Sequence, residues 1–419
     1  MISMEKRHYG WSVLVACCAL VFGIGTTMNV VGQYFVPVTE DLGLGMGEFT
    51  FYYSIRGVAL VLSTLLLGKW LDKVDARLLL SVCFAVQLIC TALMSTFTQV
   101  WHWYIVGAVM GFFLPPVYFM IPPIILSNWF VKKRGFVIGI AMAFSGVGGA
   151  IMNPVIARII EQFGWRFAYV ANAVIAGVIV LPFLMFVIRL KPADKGLLPY
   201  GYEENSDPVS KADNKLNNEL LVKGVSKARA TRSLSFILLI ILFAFCGFFA
   251  GYPQHLSAYG KTLGLTVTTA SLLLSLSMIG NVLTKLVLGL VNDKFGGKIM
   301  MACSLSMIMV SLIMLLIGQR SMPALLIGAL LSGSFLSVSS VVSPLLAQTV
   351  YGPKDFAKIF VLLSMSQNLL MSVGPTIVGF MFDFSGGYSV PLIVGIVAVI
   401  CAVCLAALAI KSGRKLQWT

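Results

Sequence analysis

Charged side chains are scarce in this sequence. Only 11% of its 419 residues are Asp, Glu, Lys or Arg, whereas a soluble domain carries about 25%. Hydrophobic residues make up 58% of the chain, and they occur in long runs such as 13–31, which contains no charged side chain. Runs of this length exclude an ordinary soluble domain and indicate a chain that crosses a membrane.

Sequence motifs for catalysis, metal binding and nucleotide binding are also missing. The eight cysteines are scattered, and the one CxxC, Cys401 to Cys404, lies inside an apolar run where we expect a structural role. There is no nucleotide loop, no ATPase motif and no nucleophile with a partner base. We therefore expect no enzyme activity, no metal, no cofactor and no ATP-driven transport.

Acidic residues are few, and the basic ones are unevenly placed. The net charge is +14, and about 24 of the 30 Lys and Arg fall in the two tails and in alternate loops. These loops are 69–77, 132–134, 189–232, 294–298 and 354–358. Such asymmetry follows the positive-inside rule and argues against a nucleic-acid partner. It predicts a multi-pass protein of the cell (inner) membrane with both termini and the central loop in the cytoplasm.

Apolar runs of about 20 residues or more predict twelve membrane helices. They lie near 10–37, 48–70, 78–98, 103–129, 135–161, 166–189, 234–259, 266–291, 298–318, 322–349, 356–382 and 388–411. Lys6 and Arg7 before the first run resemble a signal peptide, but the run is too long and lacks a small-residue cleavage site. We read it as a retained first helix. The predicted fold is all-α.

One long polar segment, 192–232, separates the sixth and seventh predicted helices. Its composition is typical of a flexible linker, and a regulatory role is the alternative. The predicted organisation is a six-helix bundle over 1–191, a cytoplasmic linker over 192–232 and a second six-helix bundle over 233–419.

The two predicted halves share a loop motif, Gly-xxx-Asp-Lys, after the second and the eighth helix. Its members are Gly68, Asp72 and Lys73 in the first copy and Gly289, Asp293 and Lys294 in the second. Glycine lets helix ends approach closely, Asp caps or pairs, and Lys anchors at the headgroups. The repeat indicates two duplicated six-helix units with gating loops.

These loops resemble the signature loop of the major facilitator superfamily. The second copy continues as the family does, through Gly296, Gly297 and Lys298, whereas the first has Asp75 where the family usually has Gly. Further stretches resemble the oxalate:formate antiporter and monocarboxylate transporter branch: 9–11 with 34–42, 128–135 with 145–149, 191–201 and 254–256. The resemblance spans essentially the whole chain and implies the twelve-helix major facilitator fold.

Asp and Glu occur only in loops or at the ends of the twelve predicted helices, whereas Arg56, Lys285 and His255 are the clear groups inside them that can carry positive charge. Ionisable residues inside a membrane are costly and mark functional sites. A cation without a buried counter-charge is stabilised by an anionic ligand. The pattern therefore predicts a small organic anion, a mono- or dicarboxylate, as the substrate.

Lys285 lies four residues before Gly289, where the anion-transporting relatives carry an essential basic residue. The resemblance implies that Lys285 engages the substrate carboxylate; the alternative is that it contacts backbone carbonyls or snorkels. Asn281, one turn earlier, stands where the proton-coupled relatives have Asp. Those relatives also have a proton-accepting Lys in the first helix, whereas residues 9–52 of this chain contain no Lys or Arg. Both differences weaken the expectation of proton symport through the family's usual groups. Exchange against a counter-anion, facilitated diffusion and proton coupling through His255 or Lys285 all stay open.

Arg56 lies about 12 Å from the outer end of the second predicted helix, whereas Lys285 lies nearer the inner end of the eighth. The two could line the path at two depths or grip a longer dianion, and snorkelling is the alternative for Arg56. Weaker candidates for substrate contact are Gln33, Tyr34, Tyr118, Gln254, Gln367 and Asn368, each of which could bond a neighbouring helix instead.

The leading hypothesis is secondary or facilitative transport of an organic anion by alternating access, by a protein that works as a monomer in the bilayer. One alternative is proton-coupled efflux of a larger amphipathic compound. Another is a membrane sensor that has lost transport.

Overall fold

The computed structural model describes residues 9–67, 76–130, 134–189, 192, 196–201, 224–352 and 354–413. In these residues the fold is helical, apart from an isolated bridge between Phe130 and Tyr200. The helices are α1 Gly10–Met28, α2 Phe35–Leu42, α3 Met46–Leu67, α4 Ala76–Leu93, α5 Val100–Pro115, α6 Ile121–Trp129, α7 Arg134–Phe186, α8 Lys227–Thr231, α9 Leu234–Phe249, α10 Leu256–Thr262, α11 Val267–Phe295, α12 Gly297–Ile317, α13 Met322–Leu331, α14 Gly333–Ser337, α15 Ser343–Tyr351, α16 Phe356–Ser385 and α17 Ser389–Gly413.

Within the described part of the chain, ten helical stretches are long and apolar enough to cross a membrane. One of them, 136–186, has 51 residues and is interrupted at Gly164, whose φ of 81° and ψ of 165° are not helical. It therefore accounts for two crossings. Helix α3 has 22 residues and occupies the second predicted position, but it is not among the ten. The predicted all-α membrane fold is confirmed; the full count of twelve stays a prediction.

The chain enters, changes halves and leaves at one end of the bundle, which we call the linker side. The Tyr9 hydroxyl donates to the carbonyl of Val187 at 2.8 Å, and the backbone N–H of Val225 donates to the carbonyl of Tyr351 at 2.8 Å. The opposite end, which holds Gly164 and Gly386, is the far side. That the linker side faces the cytoplasm stays a prediction from the charge pattern.

The two predicted halves meet along two pairs of long helices. Helix α3 packs against α16, and the first segment of α7 packs against α11, so that each pair joins the first half to the second. Within the halves, α1 packs on α7, and α9 packs on α16 and α17. The predicted division at 191 and 233 stays a prediction.

Four crossings are not continuous α-helices, and their breaks repeat between the halves. The first and seventh crossings contain 3₁₀ turns, Val31–Gln33 and Tyr252–His255. The fourth and tenth contain π turns, Pro116–Met120 and Val338–Val342. Proline lies in or next to most of these breaks, because it has no N–H for the helical bond and clashes with the preceding turn. The breaks thus fall in corresponding crossings of the two halves.

Both ends of the predicted linker are attached to the helices. The backbone N–H of Tyr200 donates to the carbonyl of Trp129 at 2.8 Å, and Asp355 accepts from the backbone N–H of Lys227 at 2.9 Å. This bond, together with the Lys358 ammonium, holds the pKa of Asp355 below its ordinary value. Residues 202–223 and the predicted gating residues Gly68, Asp72 and Lys73 lie outside the described residues.

Candidate functional site

A central cavity of about 230 Å³ lies between the two halves. Its walls are mostly apolar, with a small number of polar groups, which is typical of a site for a small molecule. The lining residues are Met28, Asn29, Tyr53, Arg56, Gly57, Leu60, Thr64, Leu114, Ala250, Gln254, Leu336, Asn368, Met371, Ser372 and Pro375. Arg56, Gln254 and Asn368 were predicted from the sequence.

Arg56 is the charged member of this set; the other described lining residues are neutral. Its side chain is only 4% exposed, and its Nε and Nη2 atoms are buried without a hydrogen-bond partner. The guanidinium carbon lies 5.6 Å from the centroid of the Tyr53 ring. Because Tyr53 is three residues before Arg56 on α3, the two side chains share a helix face. The site is therefore positive, desolvated and not neutralised by the described residues around it.

A second, smaller void lies inside the first half, and Arg56 lines it as well as the central cavity. Its volume is about 10 Å³, close to the minimum for one water molecule. Tyr34 lines it and stacks on Tyr169 with ring centroids 3.9 Å apart. The hydroxyls of Tyr34 and Tyr169 and the amide side chain of Asn172 are buried at this void. Polar groups thus surround Arg56 on the side away from the cavity.

Two amide side chains of the second half line the central cavity. Gln254 lies in the 3₁₀ turn of the seventh crossing and is buried, with its Oε1 atom unpartnered. The turn sits close to Gly32, where an added Cβ would collide with the Gln254 carbonyl. Asn368 lies on α16, and its backbone carbonyl accepts from the Ser372 hydroxyl at 2.9 Å. Amides at these positions can donate to or accept from a bound molecule.

Most other predicted contacts are bonded to neighbouring helices and do not line the cavity. These bonds run from Gln33 Nε2 to Asn153 Oδ1 at 3.0 Å, from Tyr118 to Ser145 Oγ at 3.0 Å, from Gln367 Nε2 to the Ser339 carbonyl at 2.8 Å and from Ser337 Oγ to Asn281 Oδ1 at 3.2 Å. Interhelical bonding of this kind is the common use of polar residues in membrane bundles. Their predicted substrate contact stays a prediction.

His255 is placed as a structural link. Its Nδ1 lies 3.0 Å from the Tyr388 hydroxyl, and its Nε2 lies 2.8 Å from the Pro375 carbonyl. The residue is 2% exposed. Because both ring nitrogens already have partners, His255 offers neither to the cavity. It holds the broken seventh crossing against α16 and α17.

Lys285 lies on the face of α11 that looks toward α7, at the linker-side end of their contact. A Cβ added to Gly149 would lie 3.1 Å from Met278, and one added to Gly146 would lie 3.2 Å from Val282. Two turns nearer the linker side, a Cβ at Gly139 or Gly289 would meet nothing within 4 Å. The two helices therefore diverge toward the linker side.

Lys285 falls between Val282 and Gly289 on that stripe, so it stands at the mouth of the crevice between α7 and α11. It is not among the residues that line the central cavity. An added Cβ at Gly289 would meet nothing within 4 Å among the described residues, and the close helix approach expected there stays a prediction. Asp293 and Lys294 follow on the exposed end of α11.

The far side of the cavity is closed by direct contacts between the halves. Ser257 Oγ donates to Gln33 Oε1 at 2.7 Å, and the hydroxyls of Ser54 and Thr376 are 2.7 Å apart. These contacts lie above the cavity on the far side, whereas α7 and α11 separate below it. Among the described residues, these contacts between the halves therefore close the cavity toward the far side.

Several cavity residues, including Asn29 and Ser372, are not among the substrate contacts predicted from the sequence. Asn29 donates from Nδ2 to the Ser145 carbonyl at 2.8 Å, and the Tyr53 hydroxyl donates to the Met28 carbonyl at 3.1 Å. Asn29 was detectable as a lone amide in an apolar run, and Tyr53 by its helical spacing from Arg56. Ser372 carried no sequence signal that separates it from other small residues in membrane helices.

Comparison with known proteins identifies the family. The model of the Major Facilitator Superfamily matches residues 15–270 and 255–418, and the chain belongs to that superfamily. Solved structures agree on the fold: nucleoside transporter NupG matches with a TM-score of 0.70 at 16% identity over 98% of this chain and 100% of that one. A D-xylose-proton symporter matches with a TM-score of 0.71 at 16% identity over 98% and 99%.

The curated relatives match this chain over only part of their own length. MFS-type transporter pynF of Aspergillus niger is 24% identical over 68% of this chain and 61% of its own length. Monocarboxylate transporter 12 of Xenopus laevis is 22% identical over 67% and 62%. Glucose-6-phosphate exchanger SLC37A2 of Danio rerio is 27% identical over 52% and 49%. The chain thus matches about half to three-fifths of the length of these relatives.

Proposed function

We propose that this protein is a secondary or facilitative transporter that carries a small organic anion across the membrane by alternating access. The observation that carries the proposal is Arg56, a buried cation that faces a cavity between the two halves and lacks a partner for Nε and Nη2. Two of the relatives have names that specify anions, a monocarboxylate and a sugar phosphate. The nucleoside and xylose carriers resemble this chain in fold.

The electrostatic argument follows from burial. A charge taken out of water is destabilised unless it is paired, and the described residues that line the cavity supply no carboxylate. A bound carboxylate would accept charge-assisted hydrogen bonds from the guanidinium in a planar, bidentate geometry. Cargo binding then neutralises Arg56. Gln254 and Asn368 supply hydrogen bonds to the remainder of the cargo.

For Lys285 we propose contact with the anion outside the central cavity. Its position at the mouth of the crevice between α7 and α11 favours contact with the anion on its way to or from the cavity. The two cations would then act at two depths along one path. Attraction at a narrow opening with low-dielectric walls raises the local concentration of an anion, and the effect weakens with ionic strength.

Efflux of a larger amphipathic compound is the second candidate, and the apolar wall favours it. Met28, Leu60, Leu114, Leu336 and Met371 give the cavity a continuous apolar surface. An organic body could be buried there while an acidic group meets Arg56. The two candidates differ in the size of the cargo and in the requirement for a negative charge.

The test is uptake by proteoliposomes. Labelled carboxylates are screened with and without a pH gradient and with and without internal anions. Arg56→Gln is compared with Arg166→Gln, because Arg166 is also an arginine but forms a partly exposed ion pair with Asp41 on the far side. We expect Arg56→Gln to raise the KM for the best carboxylate by about 10- to 100-fold and Arg166→Gln to leave it unchanged. Equal uptake by both variants, or a neutral or cationic best substrate, would reject the anion proposal.

A further inference from the structure

On the far side, Glu161 and Asp383 bind backbone N–H groups of the opposite half of the molecule. Glu161, near the end of the first segment of α7, accepts from the backbone N–H of Thr268 at 2.9 Å and also from its hydroxyl. Asp383, in the last turn of α16, accepts from the backbone N–H of Met46 at 2.9 Å and of Gly47 at 2.7 Å. Each carboxylate thus binds backbone groups of the opposite half.

The backbone groups that they bind belong to the first turns of long helices. Helix α11 begins at Val267 and α3 begins at Met46. The first N–H groups of a helix have no partner within the helix, and they carry a partial positive charge from the aligned peptide dipoles. A carboxylate at this position satisfies those donors with charge-assisted bonds. Both carboxylates therefore act as helix caps supplied from the other half.

The two caps are related by the internal repeat. The first segment of α7 and α16 are the fifth and eleventh predicted crossings, and α3 and α11 are the second and eighth. Glu161 of the first half caps the eighth crossing, and Asp383 of the second half caps the second. Each half therefore supplies one carboxylate and one helix N-terminus, so the two contacts are exchanged symmetrically across the interface.

The Asp383 cap continues as a row of contacts toward the cavity. Asp383, Gly379, Thr376 and Ser372 are spaced by four, three and four residues, so they share one face of α16. Thr376 Oγ1 donates to the Thr50 carbonyl at 2.9 Å.

The same row brings the two backbones together. A Cβ added to Gly379 would lie 3.0 Å from the Cα of Gly47. Ser372 ends the row beside Gly57, and both of these residues line the cavity. Opening of the far side must therefore separate the whole row, beginning at the cap.

We propose that Glu161 and Asp383 are paired latches that hold the far side of this protein closed, and that their strength sets how often the cavity opens to that side. Each latch breaks when the carboxylate leaves the facing helix terminus, since nothing covalent joins the halves there. The inference rests on the alternating access of the proposed function. It does not depend on which molecule is carried.

The test reports access to the cavity from each face without any cargo. Leu336→Cys places a reporter thiol in the cavity wall, and a membrane-impermeant thiol reagent is applied to right-side-out and to inside-out vesicles. The native chain gives the background from its own cysteines. Glu161→Gln and Asp383→Asn, which keep the side-chain shape, are added to the reporter singly and together.

We expect each substitution to raise labelling from the far side by roughly threefold to tenfold, the effect that loss of a helix cap has on an equilibrium. Because the two sites are well separated, the double variant should approach the product of the single effects. Labelling from the linker side should not rise, whereas general unfolding would raise labelling from both faces. The matched control is Glu40→Gln. It breaks the ion pair between Glu40 Oε2 and Lys261 Nζ, which are 3.7 Å apart, and the Glu40 side chain is 68% exposed. It should change labelling little.

Unchanged far-side labelling in the double variant would overturn the proposal. So would equal increases from both faces, or an increase with Glu40→Gln as large as that with Asp383→Asn. A failed uptake screen combined with increased far-side labelling would reject the anion cargo and leave the latches in place. Normal uptake with unchanged labelling would do the reverse.

Discussion

Replacing Arg56 by Gln should weaken cargo binding and leave the empty protein at least as stable as before. The side chain is 4% exposed, and two of its nitrogens have no partner. A hydrogen bond to a charged group contributes about 1.5–3 kcal/mol. At 1.36 kcal/mol per factor of ten, losing that interaction with a carboxylate should raise KM by about 10- to 100-fold.

Replacing Arg56 should change the stability of the empty protein in the opposite direction from replacing an arginine in a buried ion pair. Breaking a buried ion pair destabilises a protein by about 3–5 kcal/mol because it leaves one charge uncompensated. Arg56 in the empty carrier is already uncompensated by the described residues around the cavity. Its removal therefore relieves a desolvation cost and does not create one.

The assay combines thermal unfolding of the purified protein in detergent, with and without carboxylate, and initial uptake rates in proteoliposomes. We expect Arg56→Gln to keep or raise the melting temperature of the empty protein and to lose the stabilisation by carboxylate. Arg56→Lys keeps the charge without the planar fork and should be intermediate. A large drop in melting temperature with an unchanged KM would refute the reasoning, because Arg56 would then be a structural residue.

Three further substitutions separate site from scaffold. His255→Phe should lower stability by about 1–3 kcal/mol by leaving buried partners unpaired, with KM unchanged; a shifted KM with normal stability would contradict its structural role. Gly57→Ala should impair transport because its Cβ collides with Ser372, and adding Ser372→Gly should restore transport; a double variant as impaired as the single would exclude this steric cause. Lys285→Gln should reduce kcat/KM less than Arg56→Gln does, and only at low ionic strength. Uptake rates measured at several salt concentrations check this. A loss that does not depend on salt would place Lys285 in the binding site itself.

The fold was largely predictable because lipid imposes a simple rule on sequence. Every spanning segment must satisfy its own backbone, so long apolar runs become helices. The loop motif repeated around Gly289 identified the duplication, and the family model covers both copies. Pro115, Pro116 and Pro344 indicate kinks in the fourth and tenth crossings, but they do not specify the π turns that the structure contains there.

The site was only partly predictable, because depth along a helix does not determine which way a side chain points. Arg56, Gln254 and Asn368 were named from polarity and depth, and they line the cavity. Gln33, Gln367 and His255 met the same criteria, but their partners come from distant parts of the chain and were not visible in one sequence. Lys285 was chosen by family resemblance, and its place outside the cavity follows from the divergence of α7 and α11.

Asp383 shows a second limit. The sequence predicts that the eleventh helix ends near residue 382, which places this carboxylate just beyond the helix end. In the structure α16 continues to Ser385, and Asp383 meets the start of α3. The contact of Asp383 with α3 depends on the pairing of α16 with α3 across the halves, and one sequence does not reveal that pairing.

Pro375 gives α16 a property that its length alone would not. Proline has no N–H, so the carbonyl of Met371, one turn earlier, loses its helical donor. Both residues lie at the cavity wall, between Asn368 on one side and Thr376 and Asp383 on the other. We expect α16 to bend most easily at this point when the far side opens, so that the segment with Thr376 and Asp383 moves away from α3 while Asn368 stays at the cavity wall.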